Sequence, residues 1–181
     1  MNKYTSLDSI MSSEECLHFY FGSKFQDFYN PMNDHPLMDS LNQSLFFDVG
    51  ESVDYGAIVN LCLEILADEV INMNVQKILI YASQLSESQD YNLYVKQFNE
   101  IINGIGESMD FTDDQLSFIV VETSDINHFV ARNEWDFMGE TILSERSEQL
   151  KLTVQNEVKM YNFNIGAELD YLNSEQLSTP E

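Results

Sequence analysis

QKILIYA at residues 76–82 and LSFIVVE at residues 116–122 are short, continuous apolar runs, and the fold turns on how they are read. Runs of this length, bounded by polar turns, suit strands covered on both faces. Between them, DYNLYVKQFNEIIN (residues 90–103) places Tyr91, Tyr94, Val95, Phe98, Ile101, Ile102 and then Ile105 on one helical face. Ser88 or Asp90 can cap its start, and Gly104 and Gly106 supply a stop. Strand, helix and strand in that order predict a βαβ unit over 77–122, with a right-handed crossover. Just upstream, DYGAIVNLCLEILADEVINM (residues 54–73) is apolar around most of the helical wheel, leaving Asn60, Glu64 and Asp68 as a narrow polar stripe. That pattern describes a helix buried on most sides.

Further out, Thr112, Asp113 and Asp114, with Gln115 three residues after Thr112, read as a short capped helical turn. QLKLTVQNEVKMYNF (residues 149–163) alternates at 150, 152 and 154, and Asn156 can reverse the chain into a hairpin. The same residues fit a helix, since Leu150, Val154, Val158 and Tyr161 share a face, but the alternation and Thr153–Val154 favour the hairpin. Residues 8–29 carry one or two short aromatic-rich helices, AELDYLNSEQL (residues 167–177) another, and 175–181 a frayed end. With 181 residues, three Pro and no Ser/Gly-rich linker, one domain is expected, an α/β or α+β fold with a mixed sheet.

Charge is the strongest compositional signal. Thirty-one Asp and Glu face eight Lys and Arg, a formal net charge of -23. B-DNA carries one charge per ~1.7 Å, so this equals the charge of roughly 40 Å of duplex, about the diameter expected for a folded chain of this length. Direct nucleic-acid binding, which rests on Lys and Arg, is disfavoured, as is an anionic membrane surface. A disordered acidic tail is excluded by a 44% apolar composition, with acids interspersed in pairs at most. Cys16 and Cys62 form no framework and read as free thiols, no apolar leader opens the sequence, and the expected location is the cytoplasm.

Recognisable catalytic motifs are few. Gly104-Ile105-Gly106 closes a helix instead of opening one, and Met109 stands where a dinucleotide loop needs its third glycine. The run from Asp110 lacks the central glycine and final Glu of a calcium loop. Cys16 and His18 lack further metal ligands nearby, so neither a metal nor a cofactor is implied. His128, near Asp125, Arg132 and Glu134, is expected to be a surface histidine whose pKa the local acid raises. Glu69 lies towards the apolar side of its helix and is expected to emerge near the C-terminal end.

The densest acidity falls at Glu107, Asp110, Asp113, Asp114, Glu122, Asp125, Glu134, Asp136, Glu140 and Glu145, with Arg132 alone among them. Trp135 sits between two of these acids and reads equally as a docking anchor or a core residue. Together these eleven positions are the expected partner-binding set. The expectation is an acidic inhibitor or decoy that occupies the basic site of a nucleic-acid-binding protein such as a nuclease, restriction or defence enzyme. The alternatives are an adaptor or chaperone-like protein with an aromatic client surface, and an enzyme using clustered acids with Mg²⁺. Because exposed like charges are screened by salt, the melting temperature should rise as NaCl increases. A flat melting curve position from low to high salt would refute strong self-repulsion.

Overall fold

The computed structural model describes residues 13–25, 35–45, 53–69, 71–108, 110–112, 115–144 and 146–166. Helix α1 (Ser13–Gly22) runs into a 3₁₀ turn (Ser23–Phe25), and α2 (Met38–Leu45), α3 (Tyr55–Asp68), α4 (Met73–Leu85) and α5 (Tyr91–Glu107) follow. Strands β1 (Asp110–Thr112) and β2 (Gln115–Ile119), helix α6 (Ser124–Arg132), and strands β3 (Asp136–Ser144), β4 (Ser147–Val154) and β5 (Glu157–Asn164) complete it. The class is α+β, with a mixed sheet.

Helix α3 keeps the expected stripe: Asn60, Glu64 and Asp68 are exposed, while Ile58, Cys62, Ile65 and Leu66 are buried. Asp54 caps it by accepting the Ala57 N–H at 2.9 Å. The helix stops at Asp68, and Glu69 is its C-cap, half-buried, accepting from Asn72 Nδ2 at 3.0 Å. Residues 76–82 are not a strand. They lie inside α4, which Asn72 caps by accepting the Val75 N–H at 3.0 Å. A short apolar run carries no period of its own. The longer window does, since burial at Met73, Val75, Gln76, Leu79, Ala82 and Ser83 follows a helical repeat.

Helix α5 buries the expected face, through Tyr94, Phe98, Ile101, Ile102 and Ile105. It does not stop at Gly104. Both glycines are helical, and a Cβ on Gly106 would meet the Phe129 ring of α6 at 3.5 Å. A helical glycine costs about 1 kcal/mol relative to alanine, and the 3.5 Å approach leaves room for a methyl group here. Each fully buried Ile contributes roughly 1.5–3 kcal/mol, so the packing outweighs that cost.

The five-stranded sheet has the order β1-β2-β5-β4-β3. β2 and β5 are parallel, and the remaining pairs are antiparallel. No βαβ unit forms over 77–122, because its first strand is helical. The parallel pair joins β2 to β5 instead, with α6 and the β3–β4 hairpin in the connection. Thr112 and Gln115 are paired strand residues, not a helical turn. The hairpin expected over 149–163 is present, and its turn residues Gln155 and Asn156 have φ of 51° and 67°. Two left-handed residues give the primed turn that matches strand twist. The helix expected over 167–177 and the frayed end expected over 175–181 lie outside the described residues.

One core joins α1, α5 and α6 to the inner sheet face, where Leu152 and Phe163 are fully buried. A second joins α2, α3 and α4, and Ile80 packs against both. Across the first, Tyr20 Oη donates to Asp125 Oδ2 at 2.6 Å and accepts the Val121 N–H at 2.9 Å. Burial and the adjacent carboxylate push the Tyr20 phenol well above its ordinary pKa, so it stays a donor. Tyr20→Phe should cost about 1.5–3 kcal/mol, the range for hydrogen bonds to charged groups. Urea unfolding would check this, and a loss below about 0.5 kcal/mol would refute the clamp.

Candidate partner-binding face

The acidic positions do not form one surface. Asp110 opens β1 and Asp136 opens β3, at opposite ends of the sheet order. Four strand intervals of ~4.8 Å place those strands roughly 19 Å apart. Asp113, Asp114 and Glu145 lie outside the described residues. Glu107 is exposed at the end of α5. Glu122 is half-buried and its carboxylate accepts from Ser124 Oγ at 3.5 Å.

Asp125 is corrected outright: it is 1% exposed, accepting from Tyr20 and from the Glu122 N–H at 3.2 Å. It cannot meet a partner. Trp135 takes the core reading. It is half-buried, stacked on Tyr161 with centroids 4.6 Å apart, and edge-on to Phe129 at 5.5 Å. The indole seals the core where β3 begins and is not a free anchor.

What remains are Glu134, Asp136 and Glu140, all exposed along the approach to β3 or on the strand itself, with Asp136 beside Thr153 on the outer face and Glu140 beside Leu150 on the helix-facing one. Glu134 turns the chain from α6 into β3 with φ 57°. β3 is a terminal strand whose side chains are mostly exposed, among them Phe137, Met138, Ile142 and Leu143. Register shifts occur between Phe137 and Gly139 and between Ile142 and Ser144. The first has a chemical consequence. In a regular strand, positions 137 and 140 point to opposite faces; the bulge puts both on the helix-facing side, opposite Leu152 and Leu150.

Glu140 therefore enters a groove of about 290 Å³ between α6 and the sheet. Thr123, Ile126 and Asn127 form one wall, and Phe137, Glu140, Glu148 and Leu150 the other. Ile126 and Leu150 make a buried apolar floor, and none of the lining residues is basic. Glu148 pairs with Ile142 while Glu140 pairs with Leu150, so the two carboxylates are diagonal neighbours. Sequence reasoning missed Phe137, Ile142 and Glu148. Their signal, paired apolar residues around Gly139, lacks the period of two because of the bulges.

Other candidate chemistry is absorbed by structure. His128 is buried, with Nε2 2.9 Å from Asn74 Oδ1 and its ring edge-on to Phe98. Its pKa is lowered, by burial first and Lys77 second, the reverse of the sequence expectation. Arg132 points away, donating to Asn99 Oδ1 at 2.7 Å. Burial pushes the Cys62 thiol up to about 12, which makes it inert at neutral pH. Among the described residues no three His, Cys, Asp or Glu side chains gather as a metal site requires, and no helix is long and apolar enough to cross a membrane.

A family described as a domain of unknown function (DUF4919) matches residues 1–174. No curated protein and no solved structure matches the chain.

The lowered His128 pKa fixes a pH dependence. Its neutral form is favoured by folding, so its contribution is complete above the unfolded value of about 6.5 and is lost as pH falls through the folded one. The stability difference between wild type and His128→Gln should shrink from pH about 7 to 5.5. Comparing the two cancels groups they share, and a constant difference would refute the assignment.

Proposed function

The chain belongs to the DUF4919 family, and we propose that it is a binding protein that captures a basic partner, a nucleic-acid-binding enzyme being the class that best fits its charge. The supporting observation is the strip Glu134, Asp136 and Glu140, exposed along a terminal strand with Asp136 on its outer face and Glu140 on its helix-facing one, with no Lys or Arg from 133 to 145. In a chain of net charge -23, such a strip attracts Lys and Arg and raises the association rate with basic proteins. An inhibitor or decoy of a nuclease, restriction or defence enzyme acts this way, its carboxylates taking the place of phosphates.

A second reading has its own support. Phe137, Met138, Ile142 and Leu143 on β3, with Val158 and Met160 on β5, expose apolar surface suited to an adaptor's client. Ionic strength separates the two. Capture from nuclease-treated lysate at about 0.15 M salt that weakens near 0.5 M supports the acidic docking reading; salt-indifferent capture favours the adaptor. With the captured partner, Glu134→Gln, Asp136→Asn and Glu140→Gln combined should slow association about tenfold and flatten its salt dependence, leaving the melting temperature within a few degrees. An unchanged salt slope would refute the strip as the docking site.

A further inference from the structure

β3 is open in two ways at once. β4 is its sole strand neighbour among the described residues, so its outer edge presents backbone N–H and C=O groups. Its helix-facing side is also uncovered, with Phe137 58% and Ile142 69% exposed beside the groove. A second copy of the chain is a poor occupant. Two-fold pairing about the strand centre would set Glu140 against its own copy and bring together two bodies of charge -23.

Charge complementarity selects a different guest. We propose that β3 accepts an extended, basic segment of a partner protein as a sixth strand. Lys or Arg side chains of that segment enter the groove, and apolar ones lie over the other face. The inference rests on the acidic docking reading above and supplies its geometry. Main-chain hydrogen bonds give the affinity, and alternate side chains give the selectivity. Glu140 and Glu148, as diagonal neighbours, sit about 7–8 Å apart at Cα, a spacing that one ammonium or guanidinium can bridge. The aliphatic stem of the same side chain lies along Phe137 and Leu150, as long cationic side chains commonly do. The bulge at Met138–Gly139 is what puts Phe137 and Glu140 on the same side of the strand, so that stem and head are both met.

The probe is a fluorescent peptide of about eight residues, a strand's length, alternating Lys and Val. Its twin has every backbone amide N-methylated, which keeps the charge and side chains but removes the donors. Binding to the full chain is read by anisotropy, and amide hydrogen exchange reports where it occurs. The peptide should bind and slow exchange within residues 136–144. The twin should bind at least about tenfold more weakly, the worth of one or two hydrogen bonds, and Glu140→Gln should weaken the peptide about threefold.

Equal binding of the two peptides, binding without protection of β3, or no binding at all would overturn strand addition. So would a free protein that is dimeric with β3 already protected, since a second copy would then hold the edge. The two readings fail separately. If the twins bind alike but the charge-neutralised variant loses the salt-dependent partner, acidic docking stands without a sixth strand. If the captured partner is indifferent to salt, the acidic docking reading itself falls.

Discussion

The hydrogen bond from Tyr20 to Asp125 spans 105 positions of sequence and holds the helical and strand-rich halves of the chain in one arrangement. Asp125 reaches back to the Glu122 N–H, in the manner of a capping-box acid, and so fixes the start of α6. Tyr20 in turn takes the Val121 N–H, which anchors the segment that leaves β2. These contacts set where α6 lies over the sheet, and the wall of Thr123, Ile126 and Asn127 follows from that placement. A contact remote from β3 thus decides that a groove exists beside it.

Acidity has a second use in this architecture. A terminal strand bearing Phe137, Met138, Ile142 and Leu143 is an aggregation hazard. Asp136 and Glu140 place charge on the same strand, and its two irregularities twist the edge away from flat pairing. Charge that repels like copies attracts unlike ones, so one set of side chains can guard the edge and select its guest. The buried face needs no such management. Leu150, Leu152, Val154 and Phe163 meet the helices and leave no polar side chain of their own to satisfy.

Where the sequence has a clean period, its reading matches the structure. The α5 face from Tyr94 to Ile105, the polar stripe of α3, and the hairpin turned at Gln155–Asn156 were all legible, because burial on one side imprints 3.6- or two-residue spacing. Residues 76–82 misled because seven apolar residues fit a buried strand or a buried helix equally well. Asn72 as a cap and the polar positions beyond the run were the signals that favoured a helix. β3 escaped notice because extra residues at Met138 and Leu143 break its alternation.

Sequence alone determined the charge, the expectation of a mixed sheet with helices, and the exposure of Glu134, Asp136 and Glu140, since isolated acids stay in water unless paired. Tertiary structure alone decided that Asp125 is withdrawn to hold Tyr20, that Trp135 stacks inward on Tyr161, and that His128 is neutralised by burial. It also decided that Asp110 and Asp136 stand at opposite ends of the sheet, while Glu140 and Glu148 share one groove. The physical reason is common to all of these. Composition fixes how much charge a chain carries, whereas strand order, bulges and long-range hydrogen bonds fix which charges meet.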